Sequence, residues 1–398
     1  MFRKIALTLI EKEMQTMGVH PGGVAIMSQK AQLEPLKLLH VKAPAANILK
    51  QEMLALGGEC ATPAVAIKCG SEYVDVLLLG SARQYGLLLS KLAPMADWFA
   101  LQNVIADVKA YLQAKTQPLV TKLADGRELT YDRVQVMGIL NATPDSFYDG
   151  SRVSGIDAML HKAEQMLSEG AAILDVGGES TRPGAMPVSL EEEQLRVVPA
   201  IKQLRDKFPH SVISIDTYHS ATARQALEAG ANIINDISAG EDDAGMLAVA
   251  KQYQAPIILM HKRGTPQTMQ QLVQYDHVVE EVTSYLLTRA ECCLQQGLNK
   301  NQLILDPGIG FAKDMAGNLA LLQGIGSLTG HGLPVLVAAS RKGFIGKILD
   351  NIPAQERLTG TLATTCQAVY GGTQIVRVHD VLQHVQLIRM LEAILQCQ

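Results

Sequence analysis

Eight short apolar segments recur between residues 134 and 380, and polar or charged residues stand at the end of each. The segments are VQVMGILN (134–141), AILDVGGEST (172–181), SVISID (211–216), ANIIND (231–236), PIILMH (256–261), QLILDPG (302–308), PVLVAASRK (334–342) and QIVRVHD (374–380). Longer stretches with apolar residues at helical spacing separate them. Eight alternating strand and helix units predict a (β/α)8 barrel, an α/β fold in which the carboxyl ends of the strands share one face and build the active site. A single polar strand end can simply meet water, but eight of them indicate a site.

The composition leaves room for a barrel and a further domain. A barrel takes about 250 residues, and the chain has 398. A hydrophobic fraction of 47% suits a sizeable core and excludes a disordered chain. The formal charge of −4 argues against nucleic acid or an anionic membrane as a partner, so we expect small-molecule substrates. Any anion site must then be built from a local cluster of cations.

Neither a membrane span nor a disulfide framework is expected. No apolar stretch approaches the roughly 20 residues that a span requires. Glu11, Lys12 and Glu13 interrupt the short apolar run near residue 10, which therefore does not resemble a signal peptide. The six cysteines, at positions 60, 69, 292, 293, 366 and 397, show no CxxC or Cys/His spacing. We expect reduced thiols and a cytoplasmic protein.

Residues 1–115 are predicted to form a small α/β domain of unknown role. The pattern predicts strands at 24–27, 36–41, 64–69 and 73–80, and helices at 47–56, 84–92 and 98–114. Residues 116–133 have the pattern of a β-hairpin with Asp125–Gly126 at its turn. We expect this hairpin to cap the amino-terminal end of the barrel, which is the end associated with stability, and the catalytic barrel to occupy residues 134–398.

The polar strand ends belong to motifs that occur together in one enzyme family. They are MGILNATPDSFYDGS (137–151), DVGGESTRPG (175–184), ISIDT (213–217), IINDI (233–237), LMH (259–261), LDPGIGF (305–311), SRKG (340–343) and RVHD (377–380). In content, order and spacing they resemble the motifs of the dihydropteroate synthase family. The resemblance implies a transferase of folate biosynthesis that condenses 6-hydroxymethyl-7,8-dihydropterin diphosphate with 4-aminobenzoate to give 7,8-dihydropteroate and diphosphate. It also implies Mg²⁺ as a cofactor and a homodimer formed through the last helices.

Three polar strand ends suit the edge of a reduced pterin, which presents ring N–H, amine and carbonyl groups. Asp216, Asn235 and Asp306 are predicted at the ends of the third, fourth and sixth barrel strands. A carboxylate accepts two donors side by side, and unpaired polar atoms in a buried site are costly. A turn cap explains Asp306 alone equally well, and a strand-end turn does the same for Asn235, but together with the resemblance the three residues predict the pterin site. The apolar residues predicted to bind the substrate are Ile237, Met260 and Phe311, although Ile237 and Met260 also suit an ordinary core.

The diphosphate of the implied substrate requires cations. Lys342 is predicted at the end of the seventh strand, and Arg377 and His379 lie two residues apart at the end of the eighth, so both point the same way. Barrels often bind phosphate on the loops after these strands. Arg341 would point away from Lys342 and is predicted to be structural. The resemblance implies that Asn141, at the end of the first strand, ligates a Mg²⁺ that bridges the diphosphate, while a strand-end turn remains the alternative.

Two glycine-containing loops follow the first and second barrel strands and are long enough to act as lids that exclude water. By resemblance, Thr181 and Arg182 contact the diphosphate or the developing cation, and Asp149 stabilises developing positive charge. Phe147 and Pro183 are implied to shape the aminobenzoate pocket. The residues assigned to catalysis are therefore Asp149, Thr181, Arg182 and Lys342.

The sequence departs from the family pattern at two positions. Gly343 stands where a serine is frequent, so a hydroxyl contact with the aminobenzoate carboxylate is missing and the backbone N–H remains. Ala312 stands where a glycine is usual. Both positions follow strands that are predicted to build the site.

Two other functions fit part of the pattern. One is a pterin-dependent methyltransferase that uses a reduced folate and a corrinoid, and the other is a non-catalytic protein that binds a pterin or a folate. The methyltransferase has no use for a cation cluster that binds diphosphate. A binding protein needs neither that cluster nor lids, so the synthase is the preferred prediction.

Overall fold

The computed structural model describes residues 2–68, 70–142, 152–179 and 188–396. The chain divides into two compact units, one made of Met1–Gln117 with Leu395–Gln398 and the other of Pro118–Ile394. The first unit holds a three-stranded antiparallel sheet, and the second holds a hairpin and an eight-stranded parallel sheet. Among the described residues, no helix is both long and apolar enough to cross a membrane.

The first unit is a small sheet with helices packed on it. Its strands are β1 (Glu34–Lys42), β2 (Glu59–Ala61) and β3 (Tyr73–Gly80), in the order β1-β3-β2. Its helices are α1 (Ile10–Thr16), α2 (Pro21–Ala31), α3 (Ala43–Ala55), α4 (Ala64–Ile67), α5 (Ala82–Leu92) and α6 (Leu101–Thr116). Leu49 and Met53 lie four residues apart on one face of α3, and both are buried in one cluster with Val76 and Leu78 of β3. The core of this unit therefore lies between α3 and the sheet.

Two predicted strands of the first unit are helices, so those predictions are wrong. Residues 24–27 lie within α2, where Pro21 occupies the first turn and the His20 ring accepts a hydrogen bond from Gly22 N (3.2 Å). Residues 64–67 form α4, which begins directly after Pro63. Both predictions rested on apolar runs of a few residues, in which periodicity does not distinguish a short helix from a strand. The signal that was missed is proline at the start of each segment, where it suits the first turn of a helix.

A hairpin precedes the barrel and closes its amino-terminal end. Its strands β4 (Val120–Lys122) and β5 (Glu128–Thr130) pair antiparallel, and Gly126 in the connecting turn has a φ of +85°, which suits glycine. Leu123 and Leu129 are buried against residues near the beginning of the barrel strands, namely Met137, Ile173, Ile233, Ile258, Ile304 and Ile375. Asp125 Oδ2 accepts a hydrogen bond from Asn232 Nδ2 (2.7 Å), which attaches the turn to the barrel.

The second unit is a barrel of eight parallel strands, and the predicted (β/α)8 fold is confirmed. The strands are β6 (Gln135–Asn141), β7 (Ile173–Gly177), β8 (Val212–Asp216), β9 (Ile233–Asp236), β10 (Ile257–Met260), β11 (Leu303–Asp306), β12 (Leu336–Val337) and β13 (Ile375–Val378). Consecutive strands pair from β6 to β11, and β13 pairs with both β12 and β6. A parallel bridge between Leu305 and Val335 links β11 to the chain just before β12 and so completes the ring.

One or two helices follow each strand of this barrel along the chain. They are α7 (Arg152–Glu169), α8 (Leu190–Lys207), α9 (Ser220–Glu228), α10 (Met246–Gln252), α11 (Val278–Gln295), α12 (Met315–Gln323), α13 (Ile325–Thr329), α14 (Gly343–Ile348), α15 (Leu358–Tyr370) and α16 (Val381–Gln396). Side-chain caps fix two of the starts. Ser189 accepts a hydrogen bond from Glu192 N before α8, and Asp314 accepts one from Gly317 N before α12.

The barrel interior changes from apolar to polar along the strands. Side chains two residues apart on a strand point to the same side. Ile375 of β13 is buried in the cluster above the hairpin, and Arg377, two residues further, carries its guanidinium into the carboxyl-terminal opening, called here the barrel mouth. The same step of two residues leads from Ile173 to Asp175, from Ile233 to Asn235 and from Ile304 to Asp306. One alternation therefore provides both the apolar plug and the polar mouth.

The seventh barrel strand is much shorter than predicted. β12 comprises Leu336–Val337, whereas the predicted segment runs from 334 to 342. Arg341 has a φ of +57°, which is incompatible with extended backbone, and Lys342 then precedes the first residue of α14. Lys342 thus follows a turn rather than ending a strand, so strand alternation does not set the direction of its side chain.

Candidate active site

Three carboxylates and an amide meet at the barrel mouth. They come from Asp175 on β7, Asp216 on β8, Asn235 on β9 and Asp306 on β11. Asp175 is fully buried, and Asn235 and Asp306 are 5% and 3% exposed. Asp216 and Asn235 are register partners on adjacent strands. The structure therefore places the three predicted pterin-binding residues at one end of the barrel and adds Asp175 to them.

Arg377 bridges two of these carboxylates. Its Nε lies 2.6 Å from Asp175 Oδ2, and its Nη2 lies 2.6 Å from Asp216 Oδ2. Asn235 Nδ2 also donates to Asp175, at 3.2 Å from Oδ2. The prediction treated Arg377 as a cation available for diphosphate and gave Asp175 no role. The available signal was an acidic residue inside the apolar run AILDV, because a buried carboxylate requires a partner.

Burial raises the pKa of the two acids that face the mouth. Burial raises the pKa of Asp306 to about 6, although the hydrogen bond from Gly308 N (2.7 Å) opposes this rise. Burial also raises the pKa of Asp216, against the opposing effect of Arg377. For Arg377 itself, burial would lower the pKa, but Asp175 and Asp216 raise it. A ligand that donates hydrogen bonds to Asp216 and Asp306 would favour their ionised forms.

An apolar cluster lies beside these acids. It consists of Ile237, Met260, Met269, Phe311 and Ala312. Met260 is the register partner of Asp306, and Ile237 directly follows β9, so the predicted apolar residues are brought next to the predicted polar ones. Lys342 Nζ lies 4.4 Å from the centroid of the Phe311 ring, within cation–π range. A flat ring with a polar edge suits a site in which apolar walls adjoin buried hydrogen-bonding groups.

The predicted cations occupy different settings within the mouth. The charge of Lys342 opposes the burial that raises the pKa of Asp216 and Asp306, so it lies within electrostatic reach of both. His379 Nδ1 lies 2.9 Å from Ser340 Oγ. Arg341 forms a two-pronged pair with Asp380, with Nε–Oδ2 at 3.0 Å and Nη2–Oδ1 at 2.5 Å, as its structural assignment predicted. Lys342, Arg377 and His379 are therefore not three equivalent cations.

Sequence reasoning gave no role to a buried lysine and histidine that adjoin the apolar cluster. Lys313 Nζ lies 3.0 Å from His261 Nδ1 and donates to Phe311 O at 2.8 Å. Burial lowers the pKa of Lys313 to about 7 and that of His261 to about 3. The sequence showed only a lysine two residues after Phe311, and nothing in the pattern indicated that it is buried.

The two departures from the family pattern have different structural consequences. Gly343 is exposed, and a Cβ built on it would meet nothing within 4 Å, so a serine would fit there. Ala312 is fully buried and has a φ of +50°, the left-handed region that favours glycine. The backbone at position 312 thus explains why glycine suits this position.

Asn141 ends β6 with an exposed side chain. Across the described ranges, no group of three or more His, Cys, Asp or Glu side chains is arranged to hold a metal ion. A Mg²⁺ bound by Asn141 would take one neutral oxygen from the protein, so diphosphate and water would have to complete its octahedral shell. A donor set of this kind suits an ion that arrives with the substrate.

Five residues assigned through the resemblance lie outside the described residues. They are Phe147, Asp149, Thr181, Arg182 and Pro183. Their assignments to the aminobenzoate pocket, the developing cation and the diphosphate stay predictions from the sequence.

A barrel whose mouth combines buried acids, an amide and apolar walls is the site of an enzyme that binds a flat, hydrogen-bonding ring. Comparison with known proteins agrees with this class, since a family model described as pterin binding enzyme matches residues 137–379. A Synechocystis protein named dihydropteroate synthase is 48% identical over 262 residues, which cover 66% of this chain and 90% of that protein.

Solved structures give the same result. Xanthomonas albilineans dihydropteroate synthase with 4-aminobenzoic acid has a TM-score of 0.65 at 37% identity, covering 70% of this chain and 98% of that one. Burkholderia cenocepacia dihydropteroate synthase complexed with 7,8-dihydropteroate has a TM-score of 0.63 at 38% identity, with coverage of 70% and 98%. This chain belongs to the dihydropteroate synthase family, whose members are pterinylmethyl transferases of folate biosynthesis. The predicted family and enzyme class are confirmed. The names of these related proteins agree with the predicted synthase rather than with the methyltransferase alternative.

Proposed function

We propose that the barrel mouth binds 6-hydroxymethyl-7,8-dihydropterin diphosphate and joins it to 4-aminobenzoate. The observation that carries this proposal is the placement of buried Asp306 beside Met260, which shares an apolar cluster with Phe311. The amine and N–H groups of the ring would donate to Asp306 and Asp216, and Asn235 would supply a donor and an acceptor. These polar groups are withdrawn from water, so a ring with the matching edge gains charge-assisted hydrogen bonds, whereas a mismatched ring leaves buried groups unpaired.

The diphosphate would meet Lys342, Arg377 and His379 in unequal roles. Asp175 and Asp216 offset much of the charge of Arg377, but the two bonds to them use only part of the N–H groups of its guanidinium. We therefore assign the main cationic role to Lys342 and a donor role to the remaining N–H groups of Arg377. His379 directs Nδ1 to Ser340, so Nε2 is the ring nitrogen that we assign to the diphosphate.

Mg²⁺ is part of this proposal through Asn141. When bound, the ion would neutralise charge on the diphosphate and so improve it as a leaving group. The side-chain oxygen of Asn141 is the ligand that the barrel itself would offer. Its exposed position at the end of β6 supports the assignment, since a shell completed by diphosphate and water needs access from the mouth.

The chemistry requires no enzyme nucleophile. The C–O bond to the pterin methylene breaks, its electron pair leaves with the diphosphate, and the positive charge spreads over the methylene and the ring. The lone pair of the aminobenzoate amine then forms the C–N bond, and the proton that the amine loses leaves with the diphosphate. Ionised Asp216 and Asp306, hydrogen-bonded to ring N–H groups, would stabilise this charge as it develops, because fixed anions act strongly in a site that excludes water.

Diphosphate release tests the proposal against both alternatives. We expect release of diphosphate together with 7,8-dihydropteroate only when the pterin diphosphate and 4-aminobenzoate are both present, and a reaction without aminobenzoate is the control. A parallel reaction with a methylated reduced folate and a corrinoid tests the methyltransferase. Methyl transfer without diphosphate release would replace the synthase proposal, and pterin binding without any turnover would reduce it to a binding protein.

We also propose a homodimer in the cytoplasm. The last helix, α16, exposes Leu382, Met390 and Ile394, which are spaced by multiples of four residues and so share one face. Exposed apolar residues on one helical face support a contact with a second copy of the chain. Free thiols at Cys60, Cys292, Cys293 and Cys366 support a reducing compartment. Sedimentation of the purified protein as a monomer would contradict the dimer.

A further inference from the structure

Lys313 is a buried lysine that the proposed chemistry does not use. It is 3% exposed and lies two residues past Phe311, in the loop between β11 and α12. Its Nζ donates to Phe311 O at 2.8 Å and to His261 O at 3.4 Å, and it lies 3.0 Å from His261 Nδ1. One ammonium group thus connects two separate segments of the barrel mouth.

Those two segments carry the apolar walls of the proposed pterin site. Met260 ends β10 immediately before His261, and Phe311 belongs to the loop after β11. His261 N also donates to Asp306 O at 3.0 Å. The His261 ring packs edge-on against Tyr285, with centroids 4.9 Å apart and an interplanar angle of 86°. Lys313 is therefore attached on one side to a firmly packed ring and on the other to the backbone of Phe311.

The charge of Lys313 also acts on the substrate-facing acid. Burial lowers the pKa of Lys313, and Asp306 is the charge that most opposes this fall. A buried ammonium costs stability, and an apolar side chain of similar length would fill this space without that cost. A residue that costs stability while contacting Phe311 and the residue next to Met260 indicates a functional role. The other charged or titratable groups that face this pair are His261, Arg263, Lys342 and Arg377.

We propose that Lys313 is a positioning residue for the pterin, which holds Phe311 and Met260 at a fixed separation and provides a countercharge for Asp306 when the ring binds. The inference rests on the proposed placement of the pterin against these three residues. Asp306 must be ionised to accept two donors of the ring, and a nearby cation lowers the free energy of that anion. Lys313 does this from beside the walls, without touching the ring.

The experiment compares Lys313→Met with Lys251→Met in the full chain. Lys251 is an exposed lysine whose Nζ donates to Gln296 O, so its replacement is the matched control. Calorimetry measures the Kd for 6-hydroxymethyl-7,8-dihydropterin diphosphate between about pH 5 and about pH 8. This range includes the pH values at which a buried carboxyl group with a raised pKa titrates. We expect Lys313→Met to weaken pterin binding by about tenfold to hundredfold. The KM for aminobenzoate should stay unchanged, and the Tm should stay unchanged or rise. The loss of pterin affinity on acidification should begin at a higher pH than in the unaltered chain.

Two further variants make the outcome decisive. Lys313→Gln keeps a donor for Phe311 O but has no charge, so it should recover part of the affinity at high pH while the acid limb stays displaced. Unchanged pterin affinity in Lys313→Met, or an equal loss at every pH together with a lower Tm in both variants, would overturn the role of Lys313. Asp306→Asn tests the placement of the ring separately. If Asp306→Asn binds pterin as tightly as the unaltered chain, the proposed site is wrong. If Asp306→Asn loses pterin binding and the Lys313 variants keep it, only the inference about Lys313 fails.

Discussion

Replacing Asp306 by asparagine removes a charge and hardly any volume, so its effects on binding and on stability can be separated. Asp306 Oδ1 accepts a hydrogen bond from Gly308 N at 2.7 Å, and the residue is 3% exposed. Asparagine retains an oxygen for Gly308 but presents an NH2 group to the ring donors. Losing one hydrogen bond to a charged acceptor costs about 1.5–3 kcal/mol, so we expect pterin binding to weaken by at least about tenfold to hundredfold.

Although the variant should bind pterin more weakly, its free energy of unfolding should stay the same or rise. Burial raises the pKa of Asp306 from 3.8 to about 6, so between these values the folded protein binds more protons than the unfolded chain. The contribution of this group to stability therefore falls as pH rises through that window, and above it the buried carboxylate costs about 3 kcal/mol. Asparagine has no such cost. Asp306→Asn should be as stable as the unaltered chain or more stable above about pH 6, by up to about 3 kcal/mol.

Calorimetry with the pterin diphosphate measures the effect on binding. Unfolding in urea at about pH 5 and at about pH 8 measures the effect on stability. Asp236→Asn is the matched control, because Asp236 is a buried acid on β9 that accepts hydrogen bonds from Ser238 N and Gly240 N. The control should keep its pterin affinity. Unchanged pterin affinity in Asp306→Asn would remove the residue from the site, and a loss of stability at about pH 8 would show that its buried charge is not costly.

Three further predictions test the bridge, the serine position and the division of the chain. Arg377→Met should lower the free energy of unfolding by about 3–5 kcal/mol, because Asp175 and Asp216 lose their partner. Adding Asp175→Asn should recover part of that loss in thermal unfolding, and a further additive loss would contradict the bridge. Gly343→Ser should fold normally, because a Cβ there meets nothing within 4 Å, and should lower the KM for aminobenzoate in steady-state assays. An unchanged KM would show that the backbone N–H is sufficient. A chain that begins at Gln117 and keeps the hairpin should retain turnover, since every described site residue lies within Pro118–Ile394. Folded but inactive protein would show that the first unit completes the active site.

The sequence by itself determined the barrel and most of the residues at its mouth. A strand alternates with a period of two, so an apolar residue such as Ile233 predicts that Asn235 points to the same side. Once eight such segments are predicted parallel, their last polar residues must converge on one end. That argument depends on local periodicity and on the direction of the chain, and both can be read from the sequence.

The tertiary structure alone decided how those residues are paired. Arg377 and Asp175 are 202 positions apart in the chain, and the ion pair between them exists only because β13 and β7 both flank β6. Lys313 is buried because the loop after β11 folds against the end of β10, which no periodicity encodes. The short β12 and the helices at 24–27 and 64–67 were decided in the same way. Pairing and burial depend on contacts between distant segments, and the free energy of such contacts appears only after the segments are brought together.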